Sequence, residues 1–516
     1  MSQTPEVPGL DPSPPGSRDV LIAGARAAAA ALMTLWLVSL LAPSAPFAPL
    51  ALAERILRAT PGDLATFFIE SLGHWARRLL AGAAIAGAVG AGALALKLSA
   101  RRGRARPVVV GLALGALAFG ASIASPQGDA KVAPVLFASA LGAAVFALSA
   151  RRVSPRRPDE GPDAHRRRLL RLGVAGVGGL VVGAAGFGWL GRRIAGPDRD
   201  VTLVAPSTPA SPLPQGGFPE IPGMPAEITS AADHYVIDIN LVPPSVDAGS
   251  WRLVVDGAVD SPLELSFDDL QRRFEVVEEY AVLTCISNEV GGNLIGHSAW
   301  GGVRLTEVLD AAGVQEDAVD VIFRAADGYS DSITLEMARE RNVLLAVSQN
   351  GDPLTQAHGF PCRVRVPAIF GMKNVKWLER IEVAKQDYVG YWQQRGWSDD
   401  ATVKTESRID VAGNDRSARS GEETWIGGLA WAGVRGISKV EVSVDGGATW
   451  EEAILKDPVS PISWRLWAYR WTPGAPGDVV VACRATDGDG EVQVARRDPP
   501  HPTGATGYHQ VDVEIS

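Results

Sequence analysis

The cysteine at position 285 stands where a thiol can react. A short apolar run, Tyr280 to Leu283, reads as a buried strand that delivers Cys285 to a loop, and the loop continues through Asn288, Gly291 and Gly292 towards Trp300. A thiolate at the mouth of a Gly/Asn loop is a nucleophile or a soft metal ligand, although a lone cysteine is more often a buried small hydrophobe. The other two cysteines, Cys362 and Cys483, lie in strand-like runs and read as core thiols. An odd count of three without a C-x-x-C argues against a disulfide framework.

Further along, His358 to Val383 reads HGFPCRVRVPAIFGMKNVKWLERIEV. Together with Cys285-Ile286-Ser287-Asn288 it resembles the sulfite oxidase family of molybdenum enzymes. In that family a C-x-x-N cysteine ligates the metal, and H-G-x-P-x-R-x-x-x-P followed by G-x-x-x-V-K-W-L holds the pterin phosphate. The resemblance runs from about residue 233 to the C-terminus. It implies a Mo-molybdopterin cofactor, one molybdenum per chain, with Cys285 as the protein ligand of the metal. It further implies pterin contacts from His358, from Arg363 as a donor fork, from Lys376 as a point charge, and from the loop amides of Asn374 and Val375. Asp327 in AADGY aligns with a pterin-contacting acid of the family, and Tyr235 and Asn240 of HYVIDIN supply other walls. His297 and Glu289, after the cysteine, are the further candidates for catalysis, and Trp300 reads as core. Lys373 and Lys376 would otherwise be a solvated strand end.

Animal and plant members surround the metal with arginines, in C-x-G-N-R-R and in an upstream R-N-H. Here those positions align with Glu289, Val290 and Asp238-Ile239-Asn240, and the tyrosine of W-Q-R-R-D-Y is replaced at Trp397. The resemblance therefore implies a two-electron oxo transfer, with a neutral sulfoxide or N-oxide expected ahead of the sulfite dianion, which carboxylates repel. No segment resembles the animal enzyme's haem domain, so electrons are expected to pass through a separate redox partner. The competing reading is a cofactor-free, membrane-tethered binding or adhesion module. Joint retention of Cys285, His358, Arg363 and Lys376 speaks against it.

The elements that carry these residues follow from composition. At 516 residues the chain is too long for one domain, and a formal net charge of -9 excludes an electrostatic footprint for nucleic acid. Residues 1–19 are Pro/Ser/Gly-rich and read as a disordered cytoplasmic tail. Five apolar stretches follow: Val20 to Leu41, Leu79 to Leu96, Pro107 to Ala124, Val132 to Ala150 and Leu169 to Leu190. Each is long enough to cross about 30 Å of hydrocarbon as a helix, which makes 20–196 a transmembrane segment in contact with lipid. No histidine falls in these spans, so an intrinsic haem is not expected. AERILRA and LATFFIESLGHWARRLL, between spans one and two, read as interfacial helices.

Basic clusters at 97–106 and 151–168 place their loops in the cytoplasm and everything after span five outside it. Arg166-Arg167-Arg168-Leu169-Leu170 resembles a twin-arginine export signal. Residues 197–232 read as a Pro/Ser-rich linker. Residues 233–397 mix short strands and helices without regular alternation, an α+β pattern for the molybdopterin-binding oxidoreductase domain. Residues 398–516 carry six or seven short strands with a hairpin signal at Asp445-Gly446-Gly447, which reads as an immunoglobulin-like β-sandwich. The family places a dimerisation domain there, so a homodimer is expected.

Overall fold

The computed structural model describes residues 17–42, 44–60, 75–100, 106–125, 130–150, 201–214, 216–240 and 244–516, and these fall into a helical unit and a second, sheet-rich unit. In the helical unit the elements are α1 (Ser17–Leu41), α2 (Ala48–Ala59), α3 (Trp75–Ala100), α4 (Pro107–Ile123) and α5 (Val132–Ala150). Among the described residues three helices are long and apolar enough to cross a membrane: α1, α3 over Leu79–Ala100, and α5; α4 is a shorter apolar helix. Small residues set their spacing. A Cβ on Gly24 would lie 2.8 Å from the Ala93 Cα, and one on Gly92 would lie 2.5 Å from the Ala28 Cβ, so α1 and α3 approach as glycine permits. Leu112, Leu117 and Phe137 face outward, as lipid-contacting side chains do. The expected interfacial helix AERILRA is the end of α2, closed by an Arg58–Glu54 pair at 3.1 Å. The fifth expected span, the arginine motif before it and most of LATFFIESLGHWARRLL lie outside the described residues.

The sheet-rich unit begins as a strap rather than a free tether. Residues 201–210 run beside the strand Val276–Thr284: Ser207 N donates to Val276 O at 2.8 Å, and Glu278 N donates to Thr208 O at 2.9 Å. Thr229 N donates to His297 O at 2.6 Å. Proline-rich extended chain keeps its amides unpaired, and here the sheet takes them up. Within the expected linker 197–232, these bonds tie residues 207, 208 and 229 to the sheet.

The oxidoreductase domain is built on two sheets, the first mixed and the second antiparallel. One orders β1 (Leu253–Gly257), β2 (Leu263–Leu265), β5 (Asp320–Ala325), β6 (Ser330–Thr334) and β10 (Leu378–Ala384) as β2-β1-β10-β5-β6. The other orders β3 (Val276–Thr284), β4 (Ile295–Arg304), β7 (Leu344–Gln349) and β8 (Asp352–Pro353) in sequence, with β9 (Arg363–Arg365) on β7. Three short helices connect them: α6 (Phe267–Arg273), α7 (Leu305–Ala312) and α8 (Leu335–Glu340). Their ends are written in the sequence. Ser266 and Asp269 form a reciprocal capping box on α6, Thr334 caps α8, and Gly313 closes α7 at φ 68°. One apolar core, including Leu253, Trp300, Phe323, Leu344 and Leu378, fills the space between.

The C-terminal domain is a β-sandwich with its own core around Val440, Trp467 and Val481. One sheet orders β11 (Glu406–Ala412), β13 (Thr424–Trp431), β17 (Arg465–Trp471) and β16 (Ile454–Leu455). The other orders β12 (Ser417–Ala418), β19 (His509–Ile515), β18 (Gly477–Asp487), β14 (Ile437–Ser443) and β15 (Glu451–Glu452).

Candidate active site

The β3–β4 hairpin fixes the reactive thiol. Its register pairs Val276 with Val303 through to Thr284 with Ile295, which leaves Cys285 to Leu294 as the connecting loop. Cys285 N donates to Leu294 O at 2.9 Å, Asn288 N to Cys285 O at 3.0 Å, and Leu294 N to Asn288 Oδ1 at 2.9 Å. Asn288 is thus the staple of the C-x-x-N loop, and Gly291 turns it at φ 77°. Cys285 is buried, with its Sγ 3.0 Å from Ser287 Oγ. Burial pushes its thiol up, so the sulfur keeps its proton until a metal displaces it.

Two phenols share this environment. Burial, with a further push from Cys285, raises Tyr235 well above the ordinary range. Tyr329 is raised the same way, by burial first and then by Asp331. Tyr329 was not legible in the sequence as a site residue. Its Oη lies 2.8 Å from the Met372 carbonyl and 3.1 Å from Asp331 Oδ2, and it donates to one of them.

The segment after β8 brings the basic groups together. His358 ends a single 3-10 turn and its Nε2 lies 2.7 Å from Ala231 O, which makes that nitrogen the N–H donor. Burial drops its pKa to about 4, so the ring is neutral. Arg363 opens β9 and donates to His358 O and to Asn374 O, both at 3.2 Å, with its guanidinium 5.1 Å from the Trp300 ring. Lys376 donates to Asp238 Oδ2 at 3.1 Å and to Ala357 O at 3.0 Å, and rests over Trp377. Asp327 is buried and accepts from Tyr329 N at 2.9 Å. It lies close enough to favour the charged form of Lys376.

His234, one residue before Tyr235, was missed, because nothing in HYVIDIN separates it from an ordinary surface histidine. Its ring stacks on Tyr235 and meets His358 edge-on at 5.4 Å. Burial, then the neighbouring His358, takes its pKa to about 3.

Several expected roles fall elsewhere. His297 is fully buried on β4, with Nδ1 2.6 Å from Glu227 O and Nε2 2.8 Å from Ser463 Oγ. Both ring nitrogens are engaged, so it joins strap, hairpin and sandwich and has none left for a substrate. Glu289 is exposed at the tip of the cysteine loop. Asn240 groups with the helical unit, where it accepts from Arg58 at 3.1 Å. The Asn374 amide N–H is used by Gly371 O at 3.0 Å and its side chain staples its own loop, so its contribution is the carbonyl that orients Arg363. Val375 is a core side chain. Lys373 is buried rather than solvated, held by Asp399 at 2.7 Å, Ser332 O at 2.8 Å and Asp331 at 3.3 Å.

The donor set suits an anionic pterin. Arg363 is buried, its ion-paired neighbours are absent among the described residues, and its Nε has no partner. A buried guanidinium facing only carbonyls awaits an anion. Among the described residues His234 Nε2, equally buried, also lacks a hydrogen-bond partner. Among the described residues no group of three His, Cys, Asp or Glu could hold a metal. A metal at Cys285 would therefore be held chiefly by a group other than protein.

Comparison with known proteins agrees. Residues 240–392 match the oxidoreductase molybdopterin binding domain family, and residues 401–496 match the Mo-co oxidoreductase dimerisation domain family. The chain is 34% identical to human mitochondrial sulfite oxidase over 304 residues, covering 49% of this chain and 55% of that one. It is 35% identical over 156 residues to the uncharacterized oxidoreductase YuiH of Bacillus subtilis, covering 30% of this chain and 76% of YuiH. The chain thus spans about half the length of the curated sulfite oxidases of mammals that it matches. Among solved structures, the sulfane dehydrogenase SoxCD of Paracoccus pantotrophus aligns with a TM-score of 0.51 at 23% identity, over 56% of this chain and 82% of that one, a likeness of fold.

Proposed function

This chain belongs to the sulfite oxidase family of molybdopterin-dependent oxidoreductases, whose cofactor is Mo-molybdopterin, and we propose that it performs two-electron oxygen-atom transfer on a neutral small molecule outside the cytoplasm. The observation that carries the reading is Arg363, a buried cation whose hydrogen bonds among the described residues go to two carbonyls and to no carboxylate. A cofactor-free binding module has no use for such a group, whereas a pterin phosphate neutralises it. Cys285 would ligate the metal, Arg363 and Lys376 would take the phosphate, and His234 and His358 would meet the heterocycle as neutral rings. The cofactor supplies the two-electron couple and the place of oxygen exchange.

The chain's own residues would supply polarity and orientation. Reducing a sulfoxide or N-oxide consumes two electrons and two protons and releases water. Tyr235, kept neutral beside the thiol by burial, would act there as a hydrogen-bond donor, and the protons would come from water. Lys376 is already paired with Asp238, which leaves little free positive charge for a sulfite dianion. The apolar helices would anchor the domain, the basic loops would keep its far side out of the cytoplasm, and the immunoglobulin-like sandwich would pair two copies. A separate redox protein would exchange the electrons.

Metal analysis tests the cofactor. Protein made in a host that supplies molybdopterin should hold close to one molybdenum per chain, and far less defeats the reading. Steady-state assays then compare sulfite with a panel of sulfoxides and N-oxides. Sulfite turnover well above every neutral compound overturns the substrate class.

A further inference from the structure

The cysteine loop is held from its far side by the C-terminal sandwich. Arg408 on β11 donates through Nη1 to Gly292 O at 2.8 Å, and its Nη2 is anchored by Asp410 at 2.7 Å. His509 on β19 accepts from Ile409 N through Nδ1 at 2.9 Å, which puts its own proton on Nε2. That Nε2 lies against Gly291, where an added Cβ would sit 2.2 Å from it. A small cleft opens between the two domains here, lined by Asn288, Glu289, Gly292, Glu406, Arg408 and Gln493. Glu406 and Asn288 both line it, and the Asn288 amide favours the Glu406 anion. The buried Glu406 Oε1 and Arg408 Nε at this cleft have no partner among the described residues.

We propose that Arg408, His509 and Glu406 are positioning residues for Cys285, gripping its loop at Gly292, Gly291 and Asn288 so that the sandwich sets the direction from which the sulfur meets the metal. The loop has internal staples at its ends and at Asn288, both on the strand side, and at its tip a single turn bond, Gly292 N to Glu289 O at 2.8 Å. Its tip, Glu289 to Gly292, is otherwise exposed or half-buried and carries Gly291 and Gly292, the residues least able to hold themselves. The grip from β11 and β19 therefore fixes what the hairpin leaves loose. Groups that orient a metal ligand from outside commonly govern affinity or activity by roughly 10- to 100-fold. The inference rests on the molybdopterin reading, and Arg408 is the arm with the clearest geometry.

The test uses the full-length protein with Arg408→Met, Glu406→Leu, the conservative Glu406→Gln, and Arg484→Gln as a control. Arg484 pairs with Glu441 at 2.9 Å within the sandwich, and nothing places it in the site. Hydrogen exchange at residues 285–294 is measured in metal-free protein, and the Mo(V) electron paramagnetic resonance spectrum in loaded protein poised by redox mediators. In Arg408→Met the amides of the loop should exchange about tenfold faster. Its spectrum should shift or split, and kcat should fall about tenfold with KM nearly unchanged. Glu406→Leu should do the same more weakly, and Glu406→Gln should restore the wild-type spectrum. Wild-type exchange and spectra in both Arg408→Met and Glu406→Leu overturn the proposal, as does an equal change in Arg484→Gln. Should a loaded variant not accumulate, exchange in the metal-free protein decides alone. Absence of molybdenum from the wild type would defeat the function reading and leave the exchange result standing.

Discussion

Replacing Glu406 by glutamine should make the protein more stable at pH 8 and leave it unchanged at pH 4.5. Burial is the first cause that raises the Glu406 carboxyl from 4.5 to about 7, against the opposing pull of Arg408 and Asn288. A carboxyl whose folded pKa is raised contributes stability that is complete below the unfolded value and is lost as pH climbs through the folded one. The loss therefore runs from pH 4.5 to about 7 and amounts to about 3 kcal/mol. Glutamine has the same shape, keeps an acceptor for Asn288 and carries no titrating proton. In a sheet-rich unit of this size about 3 kcal/mol corresponds to a midpoint shift of about 5 °C. Thermal melts of wild type and Glu406→Gln in detergent, at half-unit steps from pH 4.5 to 8.5, measure it. The gap should open steadily between pH 5 and 7.5. Parallel profiles would refute the assignment of a buried, ionising carboxyl to this position.

Three other outcomes follow from the site. Cys285→Ser should abolish turnover while circular dichroism stays that of the wild type, because a hydroxyl is a harder and less acidic ligand than a thiol; residual activity at full molybdenum loading would falsify the ligand assignment. Arg363→Met should purify with less than a tenth of the wild-type cofactor content, read by metal analysis and pterin fluorescence, and wild-type loading would contradict the phosphate role. His297→Phe should cost about 1–3 kcal/mol by leaving the Glu227 carbonyl without its donor and Ser463 with Ser460 alone, seen as a lower melting point, yet keep turnover per bound molybdenum. A collapse of turnover with the metal still bound would return His297 to the active site.

The parts of the site that were legible are those compressed into short segments. Cys285 and Asn288 share one loop, and His358, Arg363 and Lys376 share another, so spacing alone brought them together. His297 misled because β4 is buried along nearly its whole length, and a strand buried on both faces does not show by alternation which face turns to the cofactor. It lies one residue from Gly296, whose added Cβ would strike the His234 ring, so the pocket side of β4 is the even-numbered one there. His234 and Tyr329 depend on contacts across the fold that no local pattern records. Lys373 looked solvated because its counter-charges, Asp331 and Asp399, are distant in sequence. Asn240 closes the HYVIDIN segment in sequence but groups with the helical unit. Composition marked 197–232 as a tether, since it carries no information about which sheet would accept its amides.

That strap has a bearing on how the catalytic part can be handled in isolation. β3 is the last strand of its sheet, and residues 207–210 lie along it, with Thr208 bridged in parallel to Val277 and Ala210 N donating to Glu278 at 3.3 Å. An uncovered outer strand offers its free amides and carbonyls to any other chain. A soluble fragment cut at residue 233, where the oxidoreductase pattern begins, would bare that strand and invite stacking of copies into aggregates. One cut at residue 201 keeps its own guard, so the first requirement for crystals or assays of the anchor-free enzyme is about thirty residues of apparently featureless sequence.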